Sequence, residues 1–325
     1  MSPSPGRDVE IELTAAIVAL DEDTPLILAL TGPATRDGLP SGRFDPHRHR
    51  TMEVALRAFV EAQTALRLGY VEQLYTFGDR GRHLAPRDTG PHVVSVGYLA
   101  LTRLPEPEVP PPAGAEWRPW YGYFPWEDFR GGRPAVLDET ILPALAAWAG
   151  TRPGRAEPNR PLGRPERVRL AFGTEGMPFD EEKALDRYEL LYEAGLVGEA
   201  AADGREAALA RGALPPLGLP MRFDHRRILA TAISRLRAKL KYRPVVFELM
   251  PPEFTLTDLQ RVVEATSGRH LHKQNFRRLV EAGELVEPTG RFSPRTGGRP
   301  AQLHRFRREV VEERPSSRFR LGQRS

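Results

Sequence analysis

The chain has 325 residues, of which 40% are hydrophobic and 28% charged, and none is cysteine. That length predicts about two domains with buried cores, and the missing cysteines exclude disulfides, thiolate catalysis and cysteine zinc sites and fit a reducing cytoplasm. No run approaches the ~20 apolar residues of a membrane helix, and the Ser/Pro-rich start lacks the apolar stretch of a signal peptide, so a cytoplasmic protein without membrane contact is expected. The net charge of +4 conceals a segregation: residues 225–325 hold 22 Lys+Arg against 10 Asp+Glu, while residues 1–224 hold 25 against 33. An acidic module joined to a polyanion-binding module accounts for this; an arginine-rich composition with a solvated tail is the plainer alternative.

Residues 9–20 alternate and then run apolar, predicting a strand, with residues 25–30 as its hairpin partner. Residues 31–49, rich in Gly, Pro and Arg, predict a loop. Met52, Leu56, Phe59, Val60 and Leu66 recur near helical spacing, predicting a helix over 51–68 that ends at Gly69. Residues 71–77 read as a strand, 78–82 as a turn and 92–104 as the best core strand in the chain. A Pro-rich loop over 104–119, a strand over 121–126 and a short helix over 137–149 complete a mixed α/β first domain. Residues 150–180 look like a linker or a long excursion. Asp180 is placed to cap a helix to Ala194, stopped by Gly195, and an Ala/Gly/Pro-rich spacer covers 200–220. Asp224 then caps a helix to about Lys241. Ile228, Leu229, Ala232, Ile233, Leu236 and Leu240 form its apolar stripe, and Arg226, Arg227, Arg235, Arg237, Lys239 and Lys241 decorate the rest.

Thr255-Leu256-Thr257-Asp258 has the spacing of a capping box, and Leu256, Leu259, Val262 and Val263 continue as a helix broken at Ser267-Gly268. A second helix begins near His272, with Phe276, Leu279 and Val280 inward, and ends at Gly283. Leu285-Val286 starts a strand that returns over 301–306. Helix, short turn, helix and a hairpin with a basic tip form the layout of a winged helix-turn-helix. The chemistry suits double-stranded DNA, because Lys, Gln, Asn and Arg are the side chains that read base edges. Candidate DNA contacts are Thr257 and Gln260 on the first helix, and His272, Lys273, Gln274, Asn275, Arg277 and Arg278 on the second. On the hairpin tip they are Arg295, Thr296 and Arg299. Asn275 and Arg278 are assigned to bases, and Arg295 and Arg299 mainly to phosphate or the minor groove. A winged helix used only for protein contacts is the competing reading.

Several segments carry a family resemblance. Tyr70-Val-Glu-Gln-Leu-Tyr-Thr-Phe-Gly-Asp79, Val93-Val-Ser-Val-Gly-Tyr-Leu-Ala-Leu-Thr102, Phe223-Asp-His-Arg-Arg-Ile-Leu-Ala230, Pro251-Pro-Glu-Phe-Thr-Leu-Thr-Asp-Leu-Gln-Arg261, Asn275-Phe-Arg-Arg278 and Thr296-Gly-Gly-Arg-Pro-Ala301 resemble the Nudix-related transcriptional regulators, NrtR. Arg187-Tyr-Glu-Leu-Leu-Tyr-Glu-Ala-Gly195 is similar to the proteobacterial subgroup that regulates NAD biosynthesis, NadQ. The resemblance implies a Nudix-like α/β/α sandwich with a mixed sheet, followed by a winged helix, in a homodimer. It also implies an adenine-nucleotide or ADP-ribose-like effector and control, by repression, of NAD biosynthesis genes.

A working Nudix box clusters carboxylates around Mg²⁺. With its arginine placed on Arg57, the downstream acids fall on Ala58, Glu61 and Ala62, and the upstream acid falls on His49. The box is broken, so no catalytic residue, no metal site and no required cofactor is expected; an active Nudix pyrophosphatase that also binds DNA is the alternative. Arg43, Arg57, Glu61, Arg80 and Arg82 are the effector-binding candidates. The stripe Glu53, Arg57 and Glu61 equally describes a surface salt-bridge ladder, and the arginines equally describe solvated side chains. Trp117, Trp120, Tyr121, Tyr123, Phe124 and Trp126 are placed to stack an adenine or to fill the core. Asp45, His47 and His49 look metal-like but lack a further ligand. The expected domains are a Nudix-like sensor over 1–150, a linker and helical insertion over 151–222, a winged helix over 223–309 and a basic tail over 310–325.

Overall fold

Side-chain alternation along one strand sets up the sandwich. In β1 (Val9–Asp21), Leu13, Ala15 and Ile17 lie in one apolar layer with Ala55, Leu56 and Val60 of α1 (Met52–Thr64). Ala16 and Val18 lie in the opposite layer with Ile228, Leu229 and Ile233 of α7 (His225–Tyr242). The sheet runs in the order β3 (Thr35–Gly38), β2 (Thr24–Gly32), β1, β6 (His92–Leu101), β5 (Tyr70–Phe77). Two short strands complete it: β4 (Ser41–Arg43) on β1 and β7 (Ala115–Pro119) on β2. β1 and β6 are parallel, from Val9 opposite His92 to Val18 opposite Leu101; the other pairs are antiparallel, which makes the sheet mixed. The computed structural model describes residues 8–32, 35–79, 91–105, 112–151, 160–211, 213, 217–242, 245–293 and 300–307.

Several expectations need correction. The loop over 31–49 contains β3 and β4, and the loop over 104–119 contains β7. These strands are three to five residues long and poor in β-branched residues, so they carry little periodicity. The strand expected over 121–126 is instead a pair of 3-10 turns, Trp120–Gly122 and Pro125–Glu127. Pro125 cannot donate to a ladder, and Trp120, Tyr123, Phe124 and Trp126 are all buried at this corner as core. α1 stops at Thr64 because Ala65 takes the left-handed conformation, φ 57°. The stretches read as spacers hold α3 (Arg164–Phe172), α5 (Gly198–Ala202) and α6 (Glu206–Leu209), beside the expected α2 (Leu142–Ala149) and α4 (Ala184–Glu193).

The long helix α7 departs furthest from its sequence reading. Its apolar stripe is buried as expected, but it packs against β1, β5, β6 and α4, as the second outer layer of the sandwich. Gly97 of β6 permits the approach: a Cβ there would lie 3.1 Å from Ile228 and 3.0 Å from Phe77. Arg235 is exposed, but Arg226, Arg227, Arg237 and Lys239 do not form an outer face. Arg226 and Arg237 are 1% exposed, Arg226 on Glu199 and Arg237 on Glu127. Arg227 pairs with Asp79, Glu189 and Asp224, and Lys239 with Glu72 at 2.8 Å. Burial of a cation requires such partners.

Candidate nucleic-acid interface

Residues 245–293 and 300–307 form a small unit at the end of α7. Thr255 caps α8 (Leu256–Ser267): its Oγ1 accepts from Asp258 N at 3.1 Å, and the Asp258 carboxylate accepts from Thr255 N at 2.9 Å. Gly268, φ 74°, ends α8 in the left-handed conformation. α9 (Lys273–Ala282) follows after a short turn, with Phe276 and Val280 buried. β8 (Val286–Ser293) and β9 (Ala301–Phe306) make the hairpin, which a Phe254–His304 bridge ties back to the start of α8. Phe247 stacks on Phe306 with centroids 4.2 Å apart, closing the base of the wing.

Phe276 and Val280 of α9 are buried and Leu279 is half-buried, which leaves the other faces of the helix outward. His272, Lys273, Gln274, Asn275, Arg277 and Arg278 are all exposed. Arg278 Nη2 donates to Asn275 Oδ1 at 2.8 Å, so the two residues assigned to base reading are held together one turn apart. Thr257 is half-buried in the first turn of α8. Gln260 is engaged within the domain. Its amide donates to Leu271 O and to Glu264 Oε1, both at 2.9 Å, and so ties α8 to the turn before α9. Arg291 and Arg305 on the wing pair with Glu253 and Glu287 and stay largely exposed. Arg295, Thr296 and Arg299 lie outside the described residues.

Of the effector candidates, Arg57 and Glu61 lie on α1 and Arg43 ends β4. Arg57 is engaged by its own fold: Nε donates to Glu53 at 3.0 Å, and Nη1 and Nη2 donate to Leu68 O at 2.5 Å and Gly69 O at 3.2 Å. It thereby closes the connection from α1 to β5. Glu61 turns away from Arg57 to Arg67 at 3.1 Å, so the salt-bridge ladder is half formed. Arg43 pairs with Glu10 at 3.2 Å and is 72% exposed. Arg80 and Arg82 lie outside the described residues. Asp45 accepts from His47 N at 2.9 Å, and among the described residues no group of three or more His, Asp or Glu is placed to hold a metal ion. Among the described residues, too, no helix is long and apolar enough to cross a membrane.

One cluster escapes the sequence reading. The Glu127 carboxylate, fully buried, accepts from Arg187 Nε at 2.6 Å and Nη2 at 2.7 Å, and from Arg237 Nη1 at 2.5 Å. Burial would raise this carboxyl, but Arg187 and Arg237 outweigh it and hold it below its ordinary range. It joins three parts of the chain: the 3-10 corner, α4 and α7.

Comparison with known proteins fits this geometry. Residues 246–306 match the NrtR DNA-binding winged helix domain. A curated relative, the ADPR responsive transcriptional repressor NtrR of Acinetobacter baylyi, is 46% identical over 91 residues, 28% of this chain and 36% of that protein. The match therefore spans about a third of the relative's length. The crystal structure of Shewanella oneidensis NrtR with a 27mer DNA superposes with a TM-score of 0.53 at 19% identity, covering 93% of this chain and 95% of that one. A MutT/nudix family protein of Enterococcus faecalis gives a TM-score of 0.52 at 15% identity, over 94% and 90%. Residues 246–306 thus match the NrtR DNA-binding winged helix domain, and the chain shares the fold of these structures, a Nudix-like α/β/α domain followed by a winged helix.

Proposed function

We propose that the chain is a transcriptional repressor that binds double-stranded DNA as a homodimer inside the cell. Its Nudix-like domain senses an adenine nucleotide or an ADP-ribose-like ligand without hydrolysing it, and its targets are NAD biosynthesis genes. The observation that carries this reading is the outward face of α9. Lys273, Gln274, Asn275, Arg277 and Arg278 are exposed together on a helix whose opposite side is fixed by Phe276 and Val280, and a major groove admits one such helix. The relative from Acinetobacter supports the effector class through its name, ADPR responsive repressor. The broken Nudix box supports sensing over hydrolysis, since one surviving acid does not assemble a metal cluster.

The sensor on this reading includes α7, and the winged helix begins between residues 242 and 246 rather than at 223. The packing of α7 on the sheet supports that division. Lys273, Arg277 and Arg278 are the DNA-facing cations, Thr257 sits near the backbone, and Arg43 with Arg80 and Arg82 is the phosphate-binding set for the effector. Calorimetry with ADP-ribose, NAD and ATP, paired with Mg²⁺-dependent hydrolysis assays on the same ligands, tests the sensor half. Binding of at least one without turnover is expected. Turnover would make the chain a pyrophosphatase, and no binding at all would leave the Nudix-like domain a scaffold.

A further inference from the structure

A helix leaves its last carbonyls without intrahelical partners. At the end of α8 the sensor fills them. Tyr121 Oη donates to Ala265 O at 2.7 Å, Arg237 Nε to Thr266 O at 3.0 Å and Phe129 N to Gly268 O at 2.8 Å. Arg269 reaches the opposite way, with Nη2 donating to Phe179 O at 2.5 Å and its guanidinium 5.2 Å from the Phe179 ring centre. Gly268 allows the approach: a Cβ there would collide with the Glu127 carbonyl oxygen and lie 2.9 Å from Tyr121 Oη. Behind this contact sits Glu127, which holds Arg237 in place. The apolar core is also continuous, from Leu236 and Leu240 of α7 through Phe247 to Val262 and Val263 of α8.

We propose that this grip on the carbonyl end of α8 is the joint through which the sensor sets the orientation of the recognition helix α9, with Arg237 as its positioning residue. The proposal rests on the reading of the chain as an effector-controlled DNA-binding protein. A domain held only by its linker needs none of these contacts. Four hydrogen bonds between the sensor and the end of α8 restrain that helix against rotation. The short turn and the Gln260 amide then carry any tilt of α8 into α9. An effector can act only through a difference in its affinity for two arrangements, and displacement of the 120–129 corner or of α7 changes the arrangement of α8 directly.

Hydrogen exchange of the full-length chain reads the joint, because the Phe129 amide is protected while Gly268 O is in place. Tyr121→Phe removes one donor and keeps the ring; Arg237→Gln removes the guanidinium. Each is expected to speed Phe129 exchange by about three- to tenfold, the equilibrium factor of one lost hydrogen bond, and to shrink the effect of ADP-ribose on operator affinity. Should Arg237→Gln fail to fold, Tyr121→Phe decides alone. Unchanged Phe129 exchange in the variants overturns the joint, and so does faster exchange with the full ADP-ribose effect retained. If operator affinity of the wild-type chain ignores ADP-ribose, the effector reading falls. Phe129 exchange with operator DNA bound and free then judges the joint: a shift on binding supports it, and none overturns it.

Discussion

Glu127 is a fully buried carboxylate, held between two guanidiniums that are themselves fully buried. Removing one member of such a group leaves the others uncompensated, which costs about 3–5 kcal/mol. Glu127→Gln should therefore lower the urea midpoint strongly at pH 7. The pH dependence follows from the direction of its shift. Burial acts to raise the carboxyl, Arg187 and Arg237 lower it by more, and the folded value ends below the ordinary 4.5. The unfolded chain thus binds the proton first, so the stability from this group is complete above pH 4.5 and is lost as pH falls through the lowered folded value. Urea melts between pH 7 and pH 3 check this: Glu127→Gln should flatten the acid limb, and an unchanged limb would show that Glu127 does not titrate with folding. Asn275 and Arg278 differ in kind, being exposed and bonded to each other. Changing either to Ala should cost about 1–3 kcal/mol on the operator and relax one base position; equal losses on operator and random DNA would reassign both to the backbone. The exposed set on α9 is legible in the sequence because Phe276 and Val280 fix which side faces inward. Arg187 and Arg237 leave a weaker trace. Each stands where the helical pattern of its neighbours, Tyr188 and Leu191 or Ile233 and Leu240, calls for an apolar residue, and an arginine there implies a buried acid. The position of that acid, 60 or 110 residues away, is a tertiary fact that no local pattern holds.

Among the elements, α7 decides where the chain divides. Its charged positions suggest a DNA-binding helix, yet Ile228 lies against Gly97 of the central strand β6 and Arg226 donates to the Tyr123 and Leu217 carbonyls. A fragment of residues 221–325 would expose this apolar stripe and the unpaired cations. It is expected to aggregate or bind DNA without specificity, while a fragment from residue 245 stays soluble, as size-exclusion chromatography of the two would show. A monodisperse, sequence-specific 221–325 fragment would place α7 with the winged helix. The stripe itself is legible, and so are β1, β2 and β6, because long runs of period 2 or 3.6 leave little choice. The surface on which the stripe packs is not legible, since amphipathicity names a face and not its partner. The turn at 120–127 reads as a strand because its aromatics suit one, and Pro125 is the local signal against that reading.

Over the whole molecule, the excess of positive charge in residues 225–325 overstates what DNA can meet. Arg226, Arg227, Arg237 and Lys239 are matched by acids of the Nudix-like domain or of α4 and α5, so the charge segregation in the sequence is partly an internal ion-pair network. Salt dependence separates the two populations. Arg277→Ala should reduce the log–log salt slope of DNA binding by about 1, whereas Lys239→Gln should leave it unchanged because its partner is Glu72 and not phosphate. Equal effects would mean that α7 also lies along the DNA. One titration distinguishes a regulator whose Nudix-like domain senses a ligand from one that cleaves it. The full-length chain is titrated against DNA from upstream of its own gene and against random DNA of equal length, with and without ADP-ribose, and the ligand is assayed for breakdown afterwards. Binding to the upstream DNA is expected to be at least about 10³-fold tighter than to random DNA, with an affinity that changes with ADP-ribose and ligand recovered intact. Equal affinity for both DNAs, or ADP-ribose consumed during the titration, would contradict the reading as a sensing regulator.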